Sequence, residues 1–219
     1  MRLKIDLHVH TVYSGDSSIT LEKAVLTAKK IGLNGFAITD HDSVEAHKKI
    51  PKNSGLVIIP GIEVTTKEGH LIGLGVSEPI KPGLPALETA ERIRELGGIV
   101  IIPHPMNPFK HSLGGDIIRE IKPDAVETVN ASTPSVLHVK KVEELAEQMG
   151  YAKTGGSDAH IPSSMGKAYT VIEAEKESLE DILQSIRKRK TVPIKEEETS
   201  LKEALPKIFL KIKAKIWKF

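Results

Sequence analysis

Five short apolar runs in this chain end in a histidine or a carboxylate. "IDLHVH" closes on His8 and His10, "FAITDHD" on Asp40, His41 and Asp42, "VIIPGIE" on Glu63, "IVIIPHP" on His104, and "YAKTGGSDAH" on Asp158 and His160. Between these runs lie stretches with helical spacing: "TLEKAVLTAKKIG", "LPALETAERIREL", "SVLHVKKVEELAEQMG" and, after the last run, "SLEDILQSIRKRK". The runs "HLIGLG" and "AVETV" read as further strands, while "SVEAHKK" and residues 115–121 read as short helices. Such alternation predicts repeated β-α units and a mostly parallel sheet or a barrel. In these architectures functional groups gather where strands end and βα loops begin. Any one polar strand end can be a purely structural feature, but five on one edge predict a shared site.

The chemistry of that site is narrowed by what is missing. The chain has no cysteine and nine histidines, so a transition metal would have to be held by imidazole and carboxylate. In an extended segment, residues two apart share a face, so His8 and His10 are expected to converge while Leu7 and Val9 face the other way. Thr20 and Ser178 are placed to cap helix N-termini, and Gly32, Gly97 and Gly150 to end helices. At 219 residues one sizeable core is expected. The first twenty residues carry charges and no long apolar run, which predicts no leader or spanning helix and a cytoplasmic protein.

The motifs "DLHVHT", "ITDHD", "PGIEVT", "IPHP" and "GGSDAH", in this order, resemble the five signatures of the polymerase and histidinol phosphatase (PHP) family. The resemblance covers about residues 1–195. It implies an α/β fold, a distorted (β/α)7 barrel of PHP/TIM-like type, with two to three divalent ions (zinc, manganese or iron) that hydrolyse phosphoesters. Carried over by motif, a first ion would take His8, His10 and Asp158, and Glu63 would bridge to a second ion that also takes His104. A third would take His41, His160 and Asp16, which stands six residues past His10. His138 is the candidate for a further ligand of the second ion, with Asn130 as its substitute. Glu63, Asp158 and His160 would be the catalytic members.

With His138 included, six neutral imidazoles and three carboxylates around three divalent ions leave a net charge of +3, which attracts phosphate. A bridging water would then titrate near neutrality and supply hydroxide. Asp40 and Asp6 are expected to accept ring N–H groups of ligating histidines. Asp42 is expected to cap the helix "SVEAHKK". Lys110, Asn107 and His111, in the loop after His104, are candidates for substrate phosphate, against a solvated role for Lys110 and His111. His70 is expected to hydrogen-bond behind Glu63, and His47 to be a solvated surface residue.

The expected function is a metal-dependent phosphoesterase acting on phosphomonoesters or phosphodiesters, with short oligonucleotides, nucleotides or small phosphorylated metabolites as substrates. The alternatives are a histidinol-phosphate phosphatase and a non-catalytic metal-binding scaffold. Residues 196–219 form a separate tail: from Ser200 onward it holds six lysines against Glu203, a net +5, which leaves the body at −3 of the overall +2. Its apolar residues Leu201, Leu205, Ile208, Ile212, Ile216 and Phe219 fall on one helical face. This predicts either docking onto the body or contact with a polyanion or membrane surface.

Overall fold

The computed structural model describes residues 1–51, 53–133 and 136–196, and for residues 136–139 the backbone alone. The amphipathic stripe of the tail and the side chain of His138 therefore lie outside the described residues. Strand β1 (Arg2–Val9) leads to helix α1 (Leu21–Lys30), β2 (Gly35–Ile38), β3 (Val57–Thr65) and β4 (His70–Leu74). Next come α2 (Ala86–Glu95), β5 (Ile99–Ile102), α3 (Gly115–Ile121), β6 (Ala125–Asn130), α4 (Val136–Met149) and β7 (Ala152–Gly156). The series ends with β8 (Ala168–Glu173), α5 (Leu179–Arg187) and β9 (Thr191–Lys195).

These strands form one sheet in the order β7-β6-β5-β4-β3-β2-β1-β8-β9. The pairs β1–β2, β2–β3, β5–β6 and β6–β7 are parallel, while β3–β4, β4–β5, β1–β8 and β8–β9 are antiparallel. The sheet curls until its β7 side meets β1. Asp158 N donates to His8 O at 2.8 Å and His10 N to Ala159 O at 3.0 Å, while Gly155 N donates to Thr170 Oγ1 at 2.8 Å. The result is the expected distorted α/β barrel, nearly closed, with two corrections. It has nine strands among the described residues rather than seven, because "AYTVIE" and "TVPIK" add β8 and β9, and half of its strand pairs are antiparallel.

Eight successive strands contribute to a single apolar cluster, which fills the lumen: Leu3, Ile5 and Leu7 of β1 meet Ile59, Ile72 and Ile101. Helix α5 closes onto it with Ile182 and Ile186, each of which is worth about 1.5–3 kcal/mol when fully buried. The strands β2 and β5, "GFAI" and "IVII", are buried at every position, as strands covered on both faces must be. Helices α2, α3 and α4 pack outside on Val100, Ile102 and Val126. Among the described residues no helix is long and apolar enough to cross a membrane.

Local punctuation follows the sequence at most points. Thr20 accepts from Lys23 N at 3.2 Å and Ser178 from Asp181 N at 3.3 Å, capping α1 and α5. Gly32, Gly97 and Gly150 all take positive φ at helix ends. The exception is the stretch after Asp42, which forms only a 3-10 segment, Glu45–Lys49, with no side-chain cap. Asp42 itself, at φ 53°, accepts from Thr65 N at 2.7 Å and so fastens β3 instead of starting a helix.

Candidate metal centre

The polar strand ends meet at one end of the lumen, and β1 reaches it through an irregularity. Leu7 packs with Leu3 and Ile5, so strict alternation would send His8 to the opposite face. The register of β1 against β2 shifts between Asp6 and Val9, and His8 turns inward as well. Its ring then lies 3.0 Å from Glu127 Oε1 and 3.3 Å from Glu63 Oε2. Gly156 makes this approach possible, since a Cβ there would collide with His8 Cβ and Glu127 Oε1. His104 and Asp158 are held at φ 31° and 52°, a conformation that costs a non-glycine residue about 1–3 kcal/mol. Hydrogen bonds from inside the site offset that strain: His104 N donates to Glu127 Oε2 at 2.8 Å, and Asp158 N to His8 O at 2.8 Å.

Glu63 is the hub. It is 1 % exposed, and its two oxygens face different sets of imidazoles. Oε2 lies 3.2 Å from His10 Nε2, 3.2 Å from His41 Nδ1 and 3.3 Å from His8 Nε2. Oε1 lies 3.0 Å from His70 Nδ1 and 3.1 Å from His104 Nε2. Asp158 Oδ1 sits 3.5 Å from His10 Nε2 and 3.8 Å from His8 Nε2. A third cluster joins Asp16 Oδ2 to His160 Nε2 at 3.2 Å and to His41 Nε2 at 3.8 Å. Among the described residues four overlapping groups have the spacing of a metal site: His10–Asp16–His41–His160, His8–His10–Glu63, His8–His104–Asp158 and His41–Glu63–His70.

These residues fit a cation on chemical grounds as well. His8 Nε2 and His10 Nε2 are only 3.1 Å apart, and two lone pairs at that distance require a proton or a cation between them. Buried Asp16 Oδ1 has no hydrogen-bond partner among the described residues. Burial opposes ionisation of Glu63, yet the facing His41, His70 and His8 hold its carboxyl well below the usual range. Asp16 is likewise held low, its burial outweighed by His160, His10 and His41. Burial, assisted by the Lys110 ammonium, pushes His104 down to about 3, so it offers a neutral nitrogen. His8 goes the other way: burial disfavours its cation, but Glu127 and Glu63 on either side raise it to about 9.

The residues behind the donors differ from those expected. Asp40 accepts from Thr11 N and Thr11 Oγ1, at 2.5 and 2.7 Å, rather than from His41, and so anchors the chain leaving β1. Asp6, raised to about 6 by burial, accepts the backbone N–H groups of Ser157 and Gly166 at 2.9 Å each. The carboxylate that orients a ring is Glu127, unmarked in the sequence reading; the signal for it was one glutamate inside the apolar strand "AVETV". Asn130 supports it, with Nδ2 donating to Glu127 Oε2 at 2.8 Å, and its Oδ1 is taken up by Ser132 and Thr133. Ser14 and Ser112 lie 3.0 Å from His10 Nδ1 and His104 Nδ1.

A cavity of about 160 Å³ opens onto Glu63, His70, His104 and Asp158, with Lys110 and His111 along its side. Lys110 is ion-paired with Asp158 and donates to Ser132 Oγ at 2.7 Å. Asn107 does not line the cavity: it is buried, and its amide joins Thr133 Oγ1 to Phe109 N. His70 does hydrogen-bond Glu63, as expected, and also stands within the His41–Glu63 donor group. His47 is a correction. It is half-buried, with Nε2 3.0 Å from Gly61 O, and so braces β3 two residues before Glu63.

Comparison with known proteins agrees with this architecture. The model of a family described as PHP-associated matches residues 137–191. The chain is 40 % identical over 142 residues to an uncharacterized protein of Methanocaldococcus jannaschii, covering 59 % of this chain and 82 % of that one. It is 30 % identical over 199 residues to the probable phosphatase YcdX of Shigella dysenteriae serotype 1, covering 74 % and 81 %. A solved two-domain protein from Bacteroides vulgatus, containing a predicted PHP-like metal-dependent phosphoesterase, superposes with a TM-score of 0.70 at 19 % identity, over 95 % of this chain and 70 % of that one. The chain belongs to the PHP-domain family.

Proposed function

We propose that this centre hydrolyses phosphate esters. The observation that carries the reading is Glu63, whose two oxygens face two separate sets of imidazole nitrogens as a carboxylate shared between cations would. His8, His10 and Asp158 would hold one divalent ion with Glu63, His104 a second with Glu63, and Asp16, His41 and His160 a third. Imidazole and carboxylate suit zinc, manganese or iron. Such ions, when bound, bring a coordinated water's pKa towards neutrality and draw charge from phosphoryl oxygens.

The chain's own groups supply the rest. Glu127 holds the His8 ring so that its other nitrogen faces the centre, and Ser112 does the same for His104. Lys110, beside Asp158, offers an ammonium to the phosphoryl oxygens, and His111 lines the same cavity. At about 160 Å³ the cavity has room for a phosphoryl group. Hydrolysis would break the P–O bond to that alcohol, with water's oxygen remaining on phosphate and its proton passing to the departing oxygen.

The test is to load the protein with manganese, zinc or iron and screen phosphomonoesters, including histidinol phosphate, alongside diesters and short DNA and RNA. Metal-dependent release of phosphate or of a nucleotide is expected. Hydrolysis that survives metal stripping would reject the reading. Metal binding with no hydrolysis of any ester would leave a binding scaffold.

A further inference from the structure

The loop between β5 and α3 carries, besides His104, a side chain whose placement calls for a partner. Phe109 is 84 % exposed, more than any other large apolar residue among those described. A single exposed aromatic is ordinary on a protein surface. This one, however, lines the 160 Å³ cavity, where every other lining side chain among the described residues is an imidazole, a carboxylate or an ammonium. Its backbone is also fixed. Phe109 N donates to Asn107 Oδ1 at 2.9 Å, Asn107 Nδ2 to Thr133 Oγ1 at 3.0 Å, and Met106 N to Leu113 O at 2.9 Å across the base of the loop. A pinned loop thus holds a bare ring at the side of a charged cavity that has room for a phosphoryl group.

Resting on the phosphoester reading above, we propose that Phe109 is a specificity-determining residue that stacks on a nucleobase carried by the alcohol portion of the substrate. The phosphoryl group occupies the charged cavity, so the remainder of the ester emerges beside the ring. A planar base covers the exposed face of Phe109, whereas an aliphatic alcohol leaves most of it in water. The neighbouring Lys110 and His111 favour the same anionic ligand. The base belongs either to a mononucleotide or to the end of a short oligonucleotide, two sources of the same chemistry.

The experiment uses the full manganese-loaded chain and compares adenosine 5′-monophosphate, a 5′-phosphorylated dinucleotide and glycerol phosphate. Base–aromatic stacking of the usual strength corresponds to about a tenfold effect. The ratio of kcat/KM for either nucleotide to that for glycerol phosphate should fall about tenfold in Phe109→Ala. It should stay low in Phe109→Leu and return in Phe109→Trp. The nucleotide arm with the larger fall identifies the source. A ratio within twofold of wild type in Phe109→Ala, or full recovery with leucine, would overturn the proposal. If wild type hydrolyses none of the three, Phe109 is read instead by calorimetric binding of the same compounds, which separates stacking from hydrolysis. Tenfold weaker nucleotide binding in Phe109→Ala would support the stacking role; equal affinity, or no nucleotide binding by wild type, would overturn it.

Discussion

The two ends of the barrel lumen are built by the same strands under opposite rules. Strand β3 gives Ile59 to the apolar cluster and, four residues later, Glu63 to the candidate metal centre; β6 gives Ala125 and then Glu127. At the apolar end burial itself stabilises, without direction, and any residue of suitable volume serves. At the polar end burial is a cost, and each group is tolerated because a hydrogen-bonding or oppositely charged partner faces it. The contrast teaches that stability and function are separable along each strand within about four residues. Substitutions at either end should therefore have different signatures.

The largest effect is expected from Glu63→Gln, which removes the shared carboxylate. Turnover on any ester should fall by about 10²–10³, the scale of losing one preorganised electrostatic element, while the far-ultraviolet dichroism of the folded chain is retained. Near-normal turnover would remove Glu63 from its central role. At the other end, Ile59 stands four residues before Glu63 on β3 and is fully buried in the apolar cluster. Ile59→Ala should cost about 2–5 kcal/mol in urea unfolding with metal stoichiometry unchanged. A joint loss of stability and metal would show that the two ends are not separable.

Chelation sharpens the same comparison. Ions held by side chains from distant strands bind only the folded chain, so saturation at a hundred times Kd adds about 2.7 kcal/mol. Metal removal should lower the unfolding midpoint by equal free energies in wild type and Ile59→Ala, because the four-residue step from Ile59 to Glu63 spans about 13 Å of strand, far enough for independent contributions. Unequal decrements measured by thermal denaturation would expose coupling between the ends. Glu127→Gln should act more weakly, with about a 10–100-fold loss of metal affinity in competition titrations, as when an oriented ligand loses its acceptor. Unchanged affinity would reduce Glu127 to a structural brace.

The same contrast explains what the sequence disclosed. His8, His10, Glu63, His104, Asp158 and His160 were legible because each follows an apolar run, and a run's end is a local property. The orienting groups were not legible, because their roles depend on partners far along the chain. Glu127 meets His8 across 119 residues, and in "AVETV" it reads as one solvent-facing position of an alternating strand. Asp40 stood beside His41 in sequence, yet its hydrogen bonds go to Thr11. Strand β9 was missed because Pro193 interrupts a short, partly exposed run, a pattern compatible with an edge strand and equally with a loop. The inward turn of His8 required a register shift that no periodicity announces.

The smallest effect concerns His47, which lies between the two rules: half-buried, uncharged in its setting and bonded to the backbone of β3. Burial lowers its pKa from the ordinary 6.5, although the carbonyl of Gly61 works against that. The folded chain therefore binds fewer protons at this residue than the unfolded chain does. By linkage, the stability tied to neutral His47 is complete above the unfolded value and is lost as pH falls below it, towards and through the lowered folded value. Glutamine can keep a hydrogen bond to Gly61 and cannot titrate, so His47→Gln should lose less stability than wild type between pH 7 and pH 5. Urea melts of metal-stripped protein at several pH values measure the difference while keeping ion binding out of the comparison. Identical pH slopes in the two proteins would mean that His47 takes up its proton as readily when folded as when unfolded, and the brace on β3 would then belong with the solvated surface.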